Sequence, residues 1–157
     1  MQWRPYVTVA AVARQNDRFL LVEEEADGHV VFNQPAGHLE QNESLIQAIK
    51  REVLEETASE FVPETIVGIY LYPNPHADIT YLRICFSGHC THEYPDRPLD
   101  NGILRRVWLT RAEIGSRQDR MRSPMVIRCI DDYLSDKSYP LELLHHYLSH
   151  SPVASSS

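Results

Sequence analysis

The chain has 157 residues, of which 43% are hydrophobic and 24% are charged. These values predict one compact domain, residues 1–148, and the Ser-rich segment 149–157 is expected to fray. The net charge of -7 argues against a nucleic acid as the main partner, since such partners require clustered Lys and Arg. No run approaches the roughly eighteen apolar residues of a membrane span, so no membrane partner is expected.

The cysteines favour a reducing compartment. The chain has an odd number of cysteines, and they lack Cys-x-x-Cys spacing: Cys85, Cys90 and Cys129. This pattern predicts free thiols and a cytoplasmic protein. Zinc is an alternative at Cys85, His89, Cys90 and His92. Strand alternation, however, places the first two of these on one face and the last two on the other, which argues against a shared zinc site.

Strand-forming segments alternate with turn residues along the chain. The first two, 6–13 and 19–25, are separated by Gln15-Asn16-Asp17 and predict a hairpin. The segment 34–43 is predicted to be a loop, and the Pro73-Asn74-Pro75 turn is expected to end a strand. The remaining predicted strands are 29–33, 65–71, 79–90 and 105–109.

Three helices are predicted from their N-terminal caps. Ser44 and Gln47 fit a capping box that starts a helix at 45, running to about 57. A second capping box at 110–113 starts a short helix, and Ser123-Pro124 begins a third. The third helix carries an apolar stripe that is expected to pack on the sheet: Val126, Ile127, Ile130, Tyr133 and Leu134. This order of elements predicts an α/β (α+β) domain with a mixed β-sheet layered between helices, an α/β/α sandwich.

Three glutamates share one stripe near the end of the first predicted helix. Glu52, Glu55 and Glu56 fall within about 100° of one another around the helix axis. Their charges repel one another and also oppose the helix dipole. A bound Mg²⁺ would relieve both effects, because it prefers oxygen ligands. A solvated acidic face remains the alternative for a Glu-rich turn of this kind.

The residues around this stripe favour the metal site. Arg51 lies one turn before Glu55, where an ion pair would orient the carboxylate. Glu43 is expected to bond Arg51, and Gly37 lets the loop backbone present its carbonyl to the ion. The whole segment resembles the Nudix box, Gly-x5-Glu-x7-Arg-Glu-U-x-Glu-Glu-x-Gly-U with U a bulky aliphatic residue, at Gly37, Glu43, Arg51, Glu52, Val53, Glu55 and Glu56.

The resemblance implies a Nudix fold and covers most of the chain. Within the family, the chain most resembles small bacterial phosphatases. Five stretches show this resemblance: 5–10, 19–24, 33–40, 122–124 and 139–142. One departure is Ala58-Ser59 in place of the final Gly-U, which leaves the turn geometry after the helix in question, because alanine disfavours the left-handed conformation.

The family resemblance also implies an activity. It implies hydrolysis of nucleoside tri- and diphosphates, and of a thiamine-pathway hydroxymethylpyrimidine pyrophosphate, with release of orthophosphate. Mg²⁺, for which Mn²⁺ can substitute, would be held by Glu52, Glu55, Glu56 and the Gly37 carbonyl, and these glutamates with Arg51 and Glu43 form the expected catalytic set. Each of the three glutamates is a candidate to accept a proton from the attacking water. The expected partner is a small-molecule nucleotide or pyrophosphate, bound by a monomer or a homodimer.

Four residues are expected to bind substrate: Arg122, Arg83, Gln34 and His38. Arg83 lies within a predicted strand and Arg122 before the third helix, where each could clamp a phosphate or pair with a glutamate instead. Asp100 is either a further group facing the metal or a solvated loop residue. Tyr70 and Tyr72 either stack on a base or belong to the core.

Two other functions stay open from the sequence. The same box serves enzymes that cleave a nucleoside diphosphate sugar or a dinucleoside polyphosphate, and a Nudix domain can also be a nucleotide-binding module with little turnover. The intact set of Arg51 and the three glutamates favours an enzyme, because a module that only binds can lose its carboxylates.

Overall fold

A mixed sheet forms the centre of the molecule in a computed structural model that describes residues 2–147. Its strands within these residues are β1 (Tyr6–Gln15), β2 (Arg18–Ala26), β3 (His29–Asn33), β4 (Ala36–His38), β5 (Ser59–Asn74), β6 (Ile79–Glu93) and β7 (Ile103–Thr110). They follow the order β3-β2-β1-β6-β5, with β4 beside β1 and β7 beside β2. β1 and β6 pair in parallel and the other pairs are antiparallel.

Residues 2–147 form three α-helices, of which the first two begin at the predicted caps. They are α1 (Leu45–Thr57), α2 (Arg111–Gly115) and α3 (Met125–Leu134), with single 3-10 turns at Gln118–Arg120 and Leu141–Leu143. At the start of α1, Ser44 Oγ accepts from the Gln47 amide at 3.0 Å, and Gln47 Oε1 accepts from the Ser44 amide at 2.8 Å. Both capping boxes are therefore confirmed, the second one at the start of α2.

Each face of the sheet carries its own hydrophobic core. On one face, Ile49 and Val53 of α1 pack against strand residues that include Phe86. On the other face, Cys129 and Ile130 of α3 pack against strand residues of β1, β2 and β6. Burial of both faces explains why the middle of each central strand is a continuous apolar run, at 9–13 in β1 and 19–22 in β2. The predicted layering of a mixed sheet between helices is confirmed.

Two predicted segments differ from the structure. The segment predicted to be a loop contains β4, because Ala36–His38 pairs with β1. β5 is longer at both ends than the predicted 65–71: it starts at Ser59 and continues to Asn74, with Pro73 opposite Thr80 on β6. Proline is tolerated there because β5 is the edge strand, where one row of N–H groups needs no partner in the sheet.

Smaller differences concern the hairpin and α3. The β1–β2 hairpin pairs only Arg14 with Phe19 and Gln15 with Arg18. α3 starts at Met125, one residue later than expected, and the Met125 amide donates to Ser123 Oγ at 3.2 Å. Leu134 is 41% exposed, so the apolar stripe of α3 is narrower than predicted.

Ala58 ends α1 in the left-handed conformation, with φ 55 and ψ 33. Its amide donates to the Leu54 carbonyl at 2.9 Å, and its carbonyl accepts from the Tyr94 amide at 2.8 Å. The side chain is fully buried. Tertiary packing therefore holds an alanine in the turn geometry that glycine would adopt freely, and β5 starts at the next residue.

None of the helices in the described part of the chain is both long and apolar enough to cross a membrane. The expected fraying of 149–157 concerns residues outside the described range.

Candidate active site

A cleft of about 1510 Å³ opens where β4, α1, the β5–β6 hairpin and the start of α3 meet. Its wall includes all three predicted carboxylates, together with Arg51 and Gly37. The two ends of α1 explain this placement, because the capping box at Ser44 and the left-handed turn at Ala58 orient the helix over the sheet. The acidic stripe then faces the cleft while the apolar stripe faces the core.

Arg51 lies 3.5 Å from Glu40 Oε2 through Nη1 and donates hydrogen bonds to three further glutamates. Its Nη2 donates to Glu43 Oε1 at 2.7 Å, and its Nη1 donates to Glu52 Oε1 at 2.7 Å and to Glu55 Oε1 at 3.0 Å. Nη2 also donates to the carbonyl of His38 at 3.0 Å, so one guanidinium joins β4, the loop and the helix. The hydrogen bond from Arg51 holds the pKa of Glu43 below its ordinary value, and the Arg51 pKa is raised in turn.

Gly37 lies in contact with the Glu52 carboxylate. A Cβ atom placed on Gly37 would lie 2.1 Å from Glu52 Cδ, well inside van der Waals contact. Any larger residue would therefore displace this carboxylate. Burial raises the pKa of Glu52, although its bond to Arg51 acts in the opposite direction. The sequence prediction that Gly37 allows a close approach of the backbone agrees with this contact.

Glu56 lies partly buried in the cleft wall, on the same stripe as Glu52. Burial raises its pKa to about 9 and outweighs the hydrogen bond that Glu56 Oε1 accepts from the Ala36 amide at 3.0 Å. The nearby charges of Glu52, Glu24 and Asp100 raise it further. No basic side chain among residues 2–147 forms a salt bridge with Glu56. This part of the cleft therefore carries uncompensated acidic groups.

Asp100 and Glu24 complete the acidic side of the cleft. The sequence left the role of Asp100 open, and the structure places it in the cleft wall, with its amide donating to the Glu55 carbonyl at 2.9 Å. Glu24 was missed, because it lies inside a run of three glutamates at the end of β2. Glu23 binds Arg105, whereas Glu24, the next residue of the strand, points to the opposite face and lines the cleft.

The donor set fits a hard divalent cation. It consists of carboxylate and carbonyl oxygens, which Mg²⁺ and Mn²⁺ prefer, and the buried carboxyl groups need positive charge to ionise. Within residues 2–147, no three His, Cys, Asp or Glu side chains already converge as a ligand cluster. Glu52 and Glu55 instead both bind Arg51 Nη1.

The predicted substrate-binding residues take different positions. His38 lies in the cleft wall, 5.5 Å from Tyr6 and 6.4 Å from Tyr81 between ring centroids. Arg122 also lines the cleft, but its Nη1 donates to Glu24 Oε1 at 3.1 Å. Arg83 lines the cleft as well. Gln34 is 1% exposed and lies behind Arg83, whose Nη1 donates to Gln34 Oε1 at 2.8 Å.

The tyrosines of β5 differ from each other. The Tyr70 hydroxyl donates to Asp132 Oδ2 at 2.7 Å, and its ring packs against the core under α3. Tyr72 lies in the cleft wall, opposite Tyr81 on β6. Of the two alternatives from the sequence, Tyr70 therefore fits the core, and Tyr72 is available to a ligand.

The four residues of the zinc alternative do not come together. Cys85 lies in the core under α3 and Cys90 packs against the core under α1, as strand alternation predicts. His89 Nδ1 is 3.1 Å from Glu64 Oε2 on the neighbouring strand.

Two buried side-chain oxygens in the cleft wall have no hydrogen-bond partner among residues 2–147: Thr8 Oγ1 and Asn33 Oδ1. No pattern in the sequence pointed to either residue. Both depend on which strands become neighbours, and only the β1–β6 and β2–β3 registers place these residues at the cleft.

Comparison with known proteins assigns this site to a family. Residues 3–127 match the family model described as NUDIX domain. The curated phosphatase NudJ of Shigella boydii is 36% identical over 142 residues, covering 90% of this chain and 92% of that protein. A solved NUDIX hydrolase from Nitrosomonas europaea is 50% identical, with a TM-score of 0.90, covering 92% of this chain and 98% of that chain.

A more distant structure shares the fold. It is a bifunctional NMN adenylyltransferase/ADP ribose pyrophosphatase from Francisella tularensis, complexed with AMP and a Mn ion. It is 23% identical, with a TM-score of 0.68, and the match covers 85% of this chain and 42% of that chain.

The chain therefore belongs to the Nudix hydrolase family. It is a Nudix phosphohydrolase that acts on pyrophosphate-containing substrates, and it is similar to the NudJ phosphatases. Both the family and the fold predicted from the sequence are confirmed.

Proposed function

We propose that this chain hydrolyses nucleoside tri- and diphosphates and related small pyrophosphates, the thiamine-pathway hydroxymethylpyrimidine pyrophosphate among them, and releases orthophosphate. The observation that carries the proposal is the arrangement of Glu52 and Glu56 beside Gly37 in the cleft. The basic side chains of the cleft do not neutralise all of its acidic groups, which favours binding of a cation there. Similarity to the NudJ phosphatases supports the substrate class.

We propose Mg²⁺ as the cofactor, with Mn²⁺ able to substitute, held by Glu52, Glu55, Glu56 and the Gly37 carbonyl. When bound, the ion would neutralise substrate phosphates and lower the pKa of a water molecule. Nudix hydrolases generally use divalent metals, and the Francisella tularensis neighbour holds Mn. Oxygen donors and buried negative charge in this cleft support the same choice.

The side chains of this site have separable tasks in the proposed reaction. Arg51 orients Glu52 and Glu55 and ties them to Glu43, so the carboxylates keep their positions as substrate enters. One glutamate accepts the proton of the attacking water, and we favour Glu52, because it is buried against Gly37 at the inner wall of the cleft. Arg83 and His38 face the substrate, while Arg122 holds Glu24 in place.

We further propose that residues 1–148 act as one Nudix domain in the cytoplasm, as a monomer or a homodimer. The backbone of Tyr139 pairs with Ile66 of β5, which supports including residues beyond the end of the family match. The three cysteines are free, in keeping with a reducing compartment.

A substrate panel tests the proposal. The purified chain is incubated with Mg²⁺ and, separately, ADP, ATP, the pyrimidine pyrophosphate, ADP-ribose and a dinucleoside polyphosphate, and the products are separated by chromatography. We expect orthophosphate from ADP and ATP. Nucleoside monophosphate from ADP-ribose alone would instead identify an enzyme for nucleoside diphosphate sugars, and absence of turnover on every substrate would identify a binding module.

A further inference from the structure

A buried hydroxyl group in the cleft wall lacks a hydrogen-bond partner in the described part of the chain. Thr8 is 6% exposed, it lines the cleft, and its Oγ1 forms no hydrogen bond within residues 2–147. An unpaired buried hydroxyl destabilises a folded protein, so such groups are rare without a reason. Because the hydroxyl belongs to the wall of a cleft, a bound ligand is a direct way of satisfying it.

The residue that pairs with Thr8 on the neighbouring strand β6 is an arginine. Arg83 on β6 is the register partner of Thr8 on β1, so the two side chains lie on the same face of the sheet. Four arginines line the cleft: Arg51, Arg83, Arg122 and Arg128. The other three each form a salt bridge, whereas Arg83 forms none with the described residues. Its charge is therefore available to an anion.

The buried side chain of Gln34 accepts a hydrogen bond from this arginine. Gln34 Nε2 donates to the Ala11 carbonyl at 3.1 Å and to Cys85 Sγ at 3.6 Å, which leaves Oε1 to accept from Arg83 Nη1 at 2.8 Å. The amide orientation is thereby fixed by three partners. A neutral amide positions the guanidinium without cancelling its charge, which a glutamate at this position would do.

We propose that Thr8 and Arg83 form an anion subsite that binds a nonbridging oxygen of a substrate phosphate, with Gln34 as the positioning residue. The Thr8 hydroxyl and an Arg83 N–H both donate to the phosphate. The subsite lies beside β4, since Thr8 is also the register partner of His38, next to Gly37. A phosphate bound there would belong to the same pyrophosphate whose other phosphate faces Glu52. The inference rests on the proposed function and adds a residue outside the Nudix box to substrate binding.

The test uses Thr8→Val, which removes the hydroxyl and keeps the shape. Hydrolysis of ADP by this variant should show a KM about tenfold higher than the wild-type value, the effect of one lost hydrogen bond to a charged group. Its melting temperature should stay equal or rise, because an unpaired buried hydroxyl is gone. Thr8→Ser should restore the KM. The matched control is Thr80→Val on β6, a partly buried threonine outside the cleft wall, which should leave the KM unchanged.

Binding measured without turnover separates this inference from the proposed function. Inorganic pyrophosphate is titrated calorimetrically into the EDTA-treated full chain, into Thr8→Val, into Arg83→Gln and into the double variant. Weaker binding in each single variant, with effects that are not additive in the double variant, supports the subsite.

Wild-type KM and wild-type pyrophosphate affinity in Thr8→Val would overturn the subsite while leaving the proposed hydrolysis intact. A wild-type chain that hydrolyses no anhydride, yet binds pyrophosphate through Thr8, would refute the proposed function and retain the subsite.

Discussion

Among single side chains, Glu56 differs from its neighbours because no arginine in the described part of the chain binds it. Glu52 and Glu55 share Arg51, whereas Glu56 accepts only a backbone hydrogen bond, from the Ala36 amide at 3.0 Å. Its carboxyl group is therefore the one whose negative charge depends most on a bound cation.

Glu56→Gln should abolish activity and keep the fold. The amide has nearly the same shape and can still accept from Ala36, so the melting temperature should be unchanged or higher in the absence of metal. Orthophosphate release from ADP should fall by roughly a hundredfold or more, because a neutral group cannot help to hold the ion. Glu40→Gln is the control, since Glu40 is 64% exposed, lies outside the stripe and forms only a long ion pair of 3.5 Å with Arg51. Near-normal turnover in Glu56→Gln would contradict the metal assignment.

The sequence predicted the part of the site that is local in the chain. Arg51 and the glutamates of α1 lie within two helical turns, and helical periodicity alone places them together. Thr8, Glu24 and Asn33 could not be found in this way. Their positions at the cleft depend on which strands become neighbours and in which register, and both are set by tertiary packing.

At the scale of elements, α1 is held at both ends by features that can be tested separately. Ala58→Gly would relieve the left-handed backbone, but it would also lose a buried methyl group and increase the freedom of the unfolded chain. These effects offset each other, and the unfolding free energy should change by less than about 1 kcal/mol.

Ala58→Val should instead lower the unfolding free energy by about 2 kcal/mol or more, because a branched side chain is strained at positive φ. Urea unfolding followed by circular dichroism measures both Ala58 variants. A large gain in stability for Ala58→Gly would show that packing does not compensate for the strain.

The loop before α1 is tied to the helix by the Arg51–Glu43 pair, and this contact should respond to acid. Arg51 lowers the pKa of Glu43 below its ordinary value of 4.5. Ionised Glu43 therefore adds stability above that pH, and this contribution disappears as the pH falls through the lowered pKa. Glu43→Gln should be less stable than wild type near neutral pH, and the difference should vanish in acid.

Urea unfolding between pH 3 and 7 measures this difference for Glu43→Gln. Glu25→Gln, at an exposed position of β2, serves as the control. A stability difference that stays constant over the whole range would contradict the role assigned to the Glu43 charge.

The elements that begin with a recognisable capping motif were predicted from the sequence. The elements that depend on pairing with a distant strand were not. The capping boxes give the starts of α1 and α2, because a side chain and a backbone amide three residues apart satisfy each other. β4 has only three residues and exists because β1 lies beside it. The length of β5 was underestimated because its edge position, invisible in the sequence, is what permits Pro63 and Pro73 inside a strand.

For the molecule as a whole, the sheet separates two cores that share no side chain. Ile49→Val under α1 and Ile130→Val under α3 should each lower the unfolding free energy by about 0.5–1.5 kcal/mol. Their effects should add to within about 0.5 kcal/mol in the double variant, because the two sites have no common contacts.

Denaturant unfolding monitored by both fluorescence and circular dichroism tests this additivity. The two probes should report one transition, as expected for a small domain. Two separate transitions, or strong coupling between the two substitutions, would show that the faces do not behave as proposed.

The outer edge of β5 affects how two copies of the protein can associate. Ile66 exchanges two backbone hydrogen bonds of 2.8 Å with Tyr139, and Pro63 and Pro73 each lack an N–H group to offer a further strand. An edge that is partly covered and interrupted by proline is a poor template for another chain. Growth of a continuous intermolecular sheet along β5 is thereby obstructed, so this edge is a poor surface for a homodimer built by strand pairing.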